Sequence, residues 1–207
     1  LWGAATGIVT GEEKGRRLGI GLILASIPIV LIGLTLGQTV KELLFNDMAI
    51  AIGLIVGGLI IIWVEKNPPV VRAQEVDDLT IKDAVWIGLI QVLSLIPGTS
   101  RSGATIIGAM MLGVSRKAAT EFSFFLGIPV IVGAGLLDLY QSYHVFDGAA
   151  DWTVIAVGLL VSFISALILI RVLVAYVAKR DFMIFAWYRI VSGLVILLFA
   201  FTGWKLW

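Results

Sequence analysis

Apolar residues run almost unbroken over five stretches, 18–37, 48–64, 118–137, 152–177 and 184–204, and the chain turns abruptly polar between them. A bilayer core of about 30 Å is crossed by roughly 20 residues of helix, so each stretch predicts a membrane span. Pro28 falls near the middle of the first span. Charges inside the runs are few: Glu121 in the third, Arg171 near the end of the fourth and Arg189 near the start of the fifth. The seven tryptophans sit mostly at the ends of these runs, where an aromatic belt places them.

Residues 84–113 break the pattern. An apolar limb ending at Pro97 is followed by Pro-Gly-Thr-Ser-Arg-Ser-Gly and a second apolar limb from Ala104 to Gly113. At 1.5 Å per residue the limbs reach roughly 21 Å and 15 Å, too short to cross comfortably. Such segments suit a re-entrant helix-loop-helix hairpin, whose polar tip is tolerable at membrane depth only if protein or water lines it. Loop charge supports a hairpin. With both limbs on one side, that side collects Lys14, Arg16, Arg17, Lys66, Arg72, Lys82, Arg116, Lys117, Lys179 and Arg180, against Lys41 and Lys205 opposite. A single crossing would spread the same charges almost evenly. Basic loops face the cytoplasm, so the hairpin is expected to enter from there and its tip to lie toward the outer face.

Composition agrees with a polytopic membrane protein. The chain has 207 residues, 59% hydrophobic and 14% charged, whereas soluble domains run nearer a quarter charged. A net charge of +1 leaves no surplus to favour nucleic acid. With no Cys and one His, His144, thiolate chemistry, disulfides and two-histidine metal sites are excluded. The chain begins with Leu, which suggests a piece of a longer reading frame.

The candidate chemistry is at the hairpin tip. Arg101 is a permanently charged planar fork suited to phosphate. Gly98 and Gly103 let backbone N–H groups converge, and the second limb points its N-terminus at the same spot. Ser100, Ser102 and Thr105 add hydroxyls. These groups favour a phosphate-like anion; the plainer alternative is that the hydroxyls cap the limb and Arg101 pairs with a buried acid. Gln91, six residues before Pro97, either hydrogen-bonds the loop or its ligand, or packs. Glu121 reads as structural, paired with Lys117 at i, i+4. Arg171 and Arg189 read as snorkelling anchors, and Gly53 with Gly57 as a close-packing stripe.

The run from Gly88 through Gln91 to Pro97-Gly98-Thr99-Ser100-Arg101-Ser102-Gly103-Ala104-Thr105 resembles the second signature motif of the bacitracin-resistance type undecaprenyl-diphosphate phosphatases. So do Leu112-Gly-Val-Ser-Arg116-Lys-Ala-Ala-Thr-Glu121-Phe-Ser-Phe, Gly15-Arg16 and Leu137-Asp138-Leu-Tyr140. The resemblance implies an all-α polytopic enzyme of the bacterial inner membrane, half of an inverted-repeat architecture with re-entrant hairpins. It implies hydrolysis of undecaprenyl diphosphate to undecaprenyl phosphate, the carrier lipid for peptidoglycan. It also implies bacitracin competing for that lipid, a Mg²⁺ or Ca²⁺ cofactor, and room for a homodimer. Arg101 and Ser100 are the implied catalytic residues; Gly98, Thr99, Ser102, Gly103, Thr105 and Gln91 are the implied diphosphate-binding ones.

One departure is large. The family's first signature, a Glu-rich run ending Leu-Pro-x-Ser-Ser-Thr-Gly-His, has no counterpart here, so the chain is expected to be N-terminally truncated, to carry no metal ligands and to be inactive alone. A polyprenyl-phosphate transporter or flippase using the same loop is the competing function, separated by whether inorganic phosphate is released. Acid-phosphatase-like lipid phosphatases, which place a His soon after Ser-Arg, are excluded by the sequence after Arg101.

Overall fold

The computed structural model describes residues 13–146 and 148–202. Among these the chain is helical, with no strand beyond one isolated bridge. Five helices are long and apolar enough to cross a membrane. They are α1 (Glu13–Leu44), α2 (Asp47–Lys66), α5 (Arg116–Ser142), α6 (Ala149–Val177) and α7 (Met183–Thr202). Two short helices, α3 (Ile81–Gln91) and α4 (Arg101–Met111), lie between α2 and α5. α1, α2, α5 and α6 extend past their apolar runs because polar flanks continue the turn. Pro28 in α1 and Pro129 in α5 are carried inside their helices.

Local chemistry sets the ends. Asn46 caps α2, its side chain accepting from Ala49 N at 2.9 Å. Thr80 and Asp83 form a reciprocal capping box at the start of α3. Ser115 caps α5 by accepting from Ala118 N at 3.2 Å.

α3 runs inward, a 3₁₀ turn (Val92–Leu95) and the Pro97-Gly98 corner reverse the chain, and α4 returns. The two feet are tied together: Arg72 N donates to Gly113 O at 2.8 Å and Ser115 N to Ala73 O at 2.9 Å. The segment therefore leaves and rejoins at one end of the bundle. That end also holds the ion pairs Arg72–Asp83, Arg116–Glu65 and Lys117–Glu75. Lys117 was expected to pair with Glu121. It reaches Glu75 instead at 2.8 Å, because the 72–75 segment is pinned beside the start of α5.

The core lies between the hairpin, α1 and the first half of α5, around Ile87, Ala109, Phe122 and Leu126. Gly88 allows α3 to press on α1 at Ala25. α2 and α7 pack closely and antiparallel, Gly58 against Ala186 and Ile190, and Gly193 against Ala51 and Ile55. Most other apolar side chains face outward, from Ile23 and Leu34 on α1 to Leu159 and Phe163 on α6. Such an exterior is unfavourable in water and is what a bilayer requires.

Candidate functional site: the hairpin tip

The tip is seated on α2 by glycine contacts. Gly98 has φ +81, a conformation that favours glycine, and a side chain there would collide with Ile50 O. Gly53 has no room for a Cβ either, because Pro97 O occupies that space. Ile50 lies three residues into α2, so the tip reaches deep toward the end of the bundle opposite its own feet.

Ser100 follows in a conformation rare for any residue with a side chain, φ 67 and ψ 118. Holding it there costs about 1–3 kcal/mol, which the surrounding packing must offset. The conformation lets Ser100 Oγ accept from Gly103 N at 3.2 Å, so Ser100 is the N-cap of α4. α4 therefore starts at Arg101, ahead of the apolar run that begins at Ala104.

Arg101 turns toward α5. Its Nη1 donates to Ser123 O at 3.1 Å, and its guanidinium occupies the space a Cβ on Gly127 would need. Thr105, fully buried one turn on, meets Ser123 Oγ at 2.6 Å and lies 3.0 Å from Arg101 O and 3.2 Å from Ser102 O. Ser100, Ser102 and Gly103 line a different side, a cavity of about 310 Å³ walled by Leu54, Phe185 and Tyr188. Thr99 opens instead onto a second, almost wholly apolar cavity of about 380 Å³, with Ile60, Trp63 and Leu93.

Gln91 is completely buried, and neither end of its amide has a hydrogen-bond partner. It does not bond the loop. A buried amide left open in this way is an uncommon and costly state.

Arg189 was read as an anchor at a membrane surface; the structure overturns that. It is 7% exposed, and its Nη2 donates to Gly98 O at 2.8 Å and to Gly53 O at 3.1 Å. Gly57 makes the space, since a Cβ there would overlap the guanidinium. The Gly53/Gly57 stripe thus lets α2 come close to two neighbours, the tip backbone at Gly53 and the Arg189 side chain of α7 at Gly57. The sequence did hold a signal: an Arg well over a turn inside an apolar run, facing a helix with glycines four residues apart.

Neither Arg101 nor Arg189 pairs with a carboxylate among the described residues; the ion pairs are all at the opposite end. An unpaired charge in apolar surroundings is costly until an anion meets it. The tip is thus a donor-rich, cationic pocket. Among the described residues no three His, Asp or Glu side chains converge as metal ligands. The groups at the tip are hydrogen-bond donors and cations, so a divalent cation does not fit there on this chain's own ligands.

Comparison with known proteins gives a consistent picture. The family model described as "Bacitracin resistance protein BacA" matches residues 1–195. A protein of Acinetobacter baylyi named undecaprenyl-diphosphatase 1 is 79% identical over the whole chain, which spans 76% of that protein's length. Undecaprenyl-diphosphatases of a Psychrobacter species and of Rhodospirillum rubrum are 55% and 50% identical, over 97% and 98% of the chain and 73% and 74% of their own lengths.

Proposed function

Because the chain belongs to the bacitracin resistance protein family, whose matched relatives are named undecaprenyl-diphosphatases, we propose that it hydrolyses undecaprenyl diphosphate within the membrane. Water adds to the terminal phosphorus, the bridging P–O bond breaks, and undecaprenyl phosphate and inorganic phosphate leave. The carrier lipid then returns to peptidoglycan synthesis, and bacitracin opposes the enzyme by competing for its substrate. The observation that carries this reading is Arg101: a guanidinium at a strained, donor-rich hairpin tip with no acid partner among the described residues.

In this reading the hairpin is re-entrant in the inner membrane of a bacterium, its feet at the cytoplasmic face and its tip toward the periplasm. Arg101 clamps the diphosphate and stabilises the charge that builds as the bridging oxygen departs, the main task in phosphoryl transfer. Ser100 and Ser102 hold phosphate oxygens through hydroxyls and N–H groups. Gly98, Thr99 and Gly103 shape the backbone cradle, and Thr105 on α4 braces it against Ser123 of α5. The open amide of Gln91 supplies one further polar contact for a bound substrate. Ser100 as nucleophile requires a base, and among the described residues none hydrogen-bonds it. Mg²⁺ or Ca²⁺ belongs to the family's chemistry in this reading, where it would neutralise diphosphate charge. The tip offers no ligand set for it, and no step here runs through it. A homodimer is compatible with the apolar exterior.

The test is phosphate release from undecaprenyl diphosphate by the intact protein in detergent, with Mg²⁺ or Ca²⁺ supplied. Arg101→Ala and Arg101→Lys should each lose several orders of magnitude. Activity that survives Arg101→Ala removes the clamp. A folded protein that releases no phosphate shifts the reading to carriage of the lipid phosphate across the membrane.

A further inference from the structure

Arg189 is more deeply buried than Arg101 and comes to the same hairpin tip from the opposite direction. Arg101 leans on α5, at Ser123 and Gly127. Arg189 reaches in from α7 through the gap left by Gly57 on α2. One nitrogen of its fork, Nη2, is committed to the carbonyls of Gly98 and Gly53. Nη1 stands 3.4 Å from where a Cβ on Gly103 would be, beside the N-terminal turn of α4, and makes no hydrogen bond among the described residues. Nε is buried without a partner. The side chain lines the cavity that Ser100 and Ser102 also line, as well as the apolar cavity beneath Thr99.

Two facts make this more than a brace for the tip. A neutral donor would satisfy the two carbonyls without bringing a full charge into an apolar bundle, where an unpaired charge is strongly unfavourable. No carboxylate among the described residues compensates it. The positive charge is therefore left for a ligand, and Arg189 borders the cavity that Ser100 and Ser102 line. Arg101 presents the same unmet charge on the other flank.

We infer that Arg189 is a second cationic group of the diphosphate site: it fixes the tip through Gly98 and Gly53 and binds the phosphate held by Ser100 and Ser102, opposite Arg101. The inference rests on the proposed diphosphatase reading. It gives each phosphate of a diphosphate its own guanidinium, which favours a diphosphate over the monophosphate product and so aids product release. The walls supplied by Phe185, Tyr188 and Leu54 place the first part of an apolar chain beside that phosphate.

The experiment compares wild type, Arg189→Gln, Arg189→Lys, Gly57→Ala and Arg101→Gln, each purified intact in detergent. It reads kcat and KM for undecaprenyl diphosphate, inhibition by inorganic diphosphate, and the melting temperature. Losing a charged hydrogen-bonding partner should raise KM and the diphosphate inhibition constant roughly 10- to 100-fold in Arg189→Gln. Arg189→Lys, which keeps the charge without the fork, should recover part of that loss. Gly57→Ala, which leaves both arginines in the sequence but displaces Arg189, should weaken diphosphate in the same direction. A purely structural Arg189 would instead lower the melting temperature and kcat of the Lys and Gln variants equally, with KM and diphosphate inhibition unchanged, and that result overturns the inference alone. Should wild type itself release no phosphate while Arg101→Gln behaves identically, the diphosphatase reading fails first, and this inference with it.

Discussion

Thr105 and Ser123 meet hydroxyl to hydroxyl at 2.6 Å, both with no exposed surface, and the contact joins the start of α4 to the first half of α5. The backbone carbonyl of Ser123 holds Arg101 at the same time. One residue of α5 therefore fixes both the guanidinium and the helix that carries it, and the tip cannot shift without breaking a buried polar contact.

Thr105→Val keeps the shape of the side chain and removes its hydroxyl, leaving Ser123 Oγ buried with an unmet hydrogen bond. A loss of about 1–3 kcal/mol is expected. Thr105→Val with Ser123→Ala removes both partners and should cost less than the two single changes together. Unfolding in mixed micelles measures the three variants. Additive losses would show that the two hydroxyls do not act as a pair.

At the other end of the bundle the Arg72–Asp83 pair gives a pH dependence whose sign is fixed. Burial alone would raise the Asp83 carboxyl; the hydrogen bonds from Arg72, from Thr80 N at 2.9 Å and from Thr80 Oγ1 at 2.8 Å, together with the Arg72 charge, outweigh it. The carboxyl titrates below its ordinary value of about 3.9. A carboxyl lowered on folding contributes stability that is complete above the unfolded value and disappears as pH falls through the folded one. The melting temperature should hold steady from neutral pH down to about 4 and fall below it. Asp83→Asn should lower it at neutral pH and flatten the acid limb. Because Arg72 is nearly half exposed, the charge pairing itself is worth little; the buried hydrogen bonds of Asp83 carry the effect.

The contrast between these residues shows what the sequence makes legible. Five long apolar helices are readable because hydropathy is summed over many residues and is insensitive to a single contact. Gly98, Ser100 and Arg101 are readable because their chemistry is local: a positive-φ corner, an N-cap and the residue after it lie within four positions. Arg189 is not readable in that way. Its partners Gly98 and Gly53 lie 91 and 136 residues away, and only the packing of α2 on α7 decides whether such an arginine snorkels or turns inward. Lys117 fails for the same reason: the local partner at i+4 loses to Glu75, brought in by the bridge between Ala73 and Val114.

The proposed orientation makes opposite predictions for two exposed residues. Lys179 follows α6 at the end that gathers the hairpin feet, and Tyr143 follows α5 at the other end, 61% exposed. The chain has no cysteine of its own to interfere. In intact spheroplasts a membrane-impermeant maleimide should label Tyr143→Cys and spare Lys179→Cys until the cells are opened. The reverse pattern would turn the hairpin tip toward the cytoplasm and place the phosphate product inside the cell.

Gly127 offers the cleanest way to disturb Arg101 without touching it. A Cβ at this position would stand 2.6 Å from Nη2 and 3.0 Å from Cζ of Arg101, closer than real contacts allow. The obstacle is the end of a flexible side chain, so α5 and the bundle can stay as they are while the guanidinium swings away from Ser123 O. Gly127→Ala should therefore keep a near wild-type melting temperature, helped slightly by the better helix propensity of alanine. Phosphate release should nevertheless fall by about tenfold or more, since a misplacement of about 1 Å in a positioned group costs up to about 100-fold. Gly133→Ala, two turns further along the same helix with nothing within 4 Å, is the matched control and should leave turnover unchanged. Equal activity in the two variants would mean that the position of Arg101 against α5 does not matter to the reaction. A large loss of stability in Gly127→Ala alone would mean that α5 itself had to move.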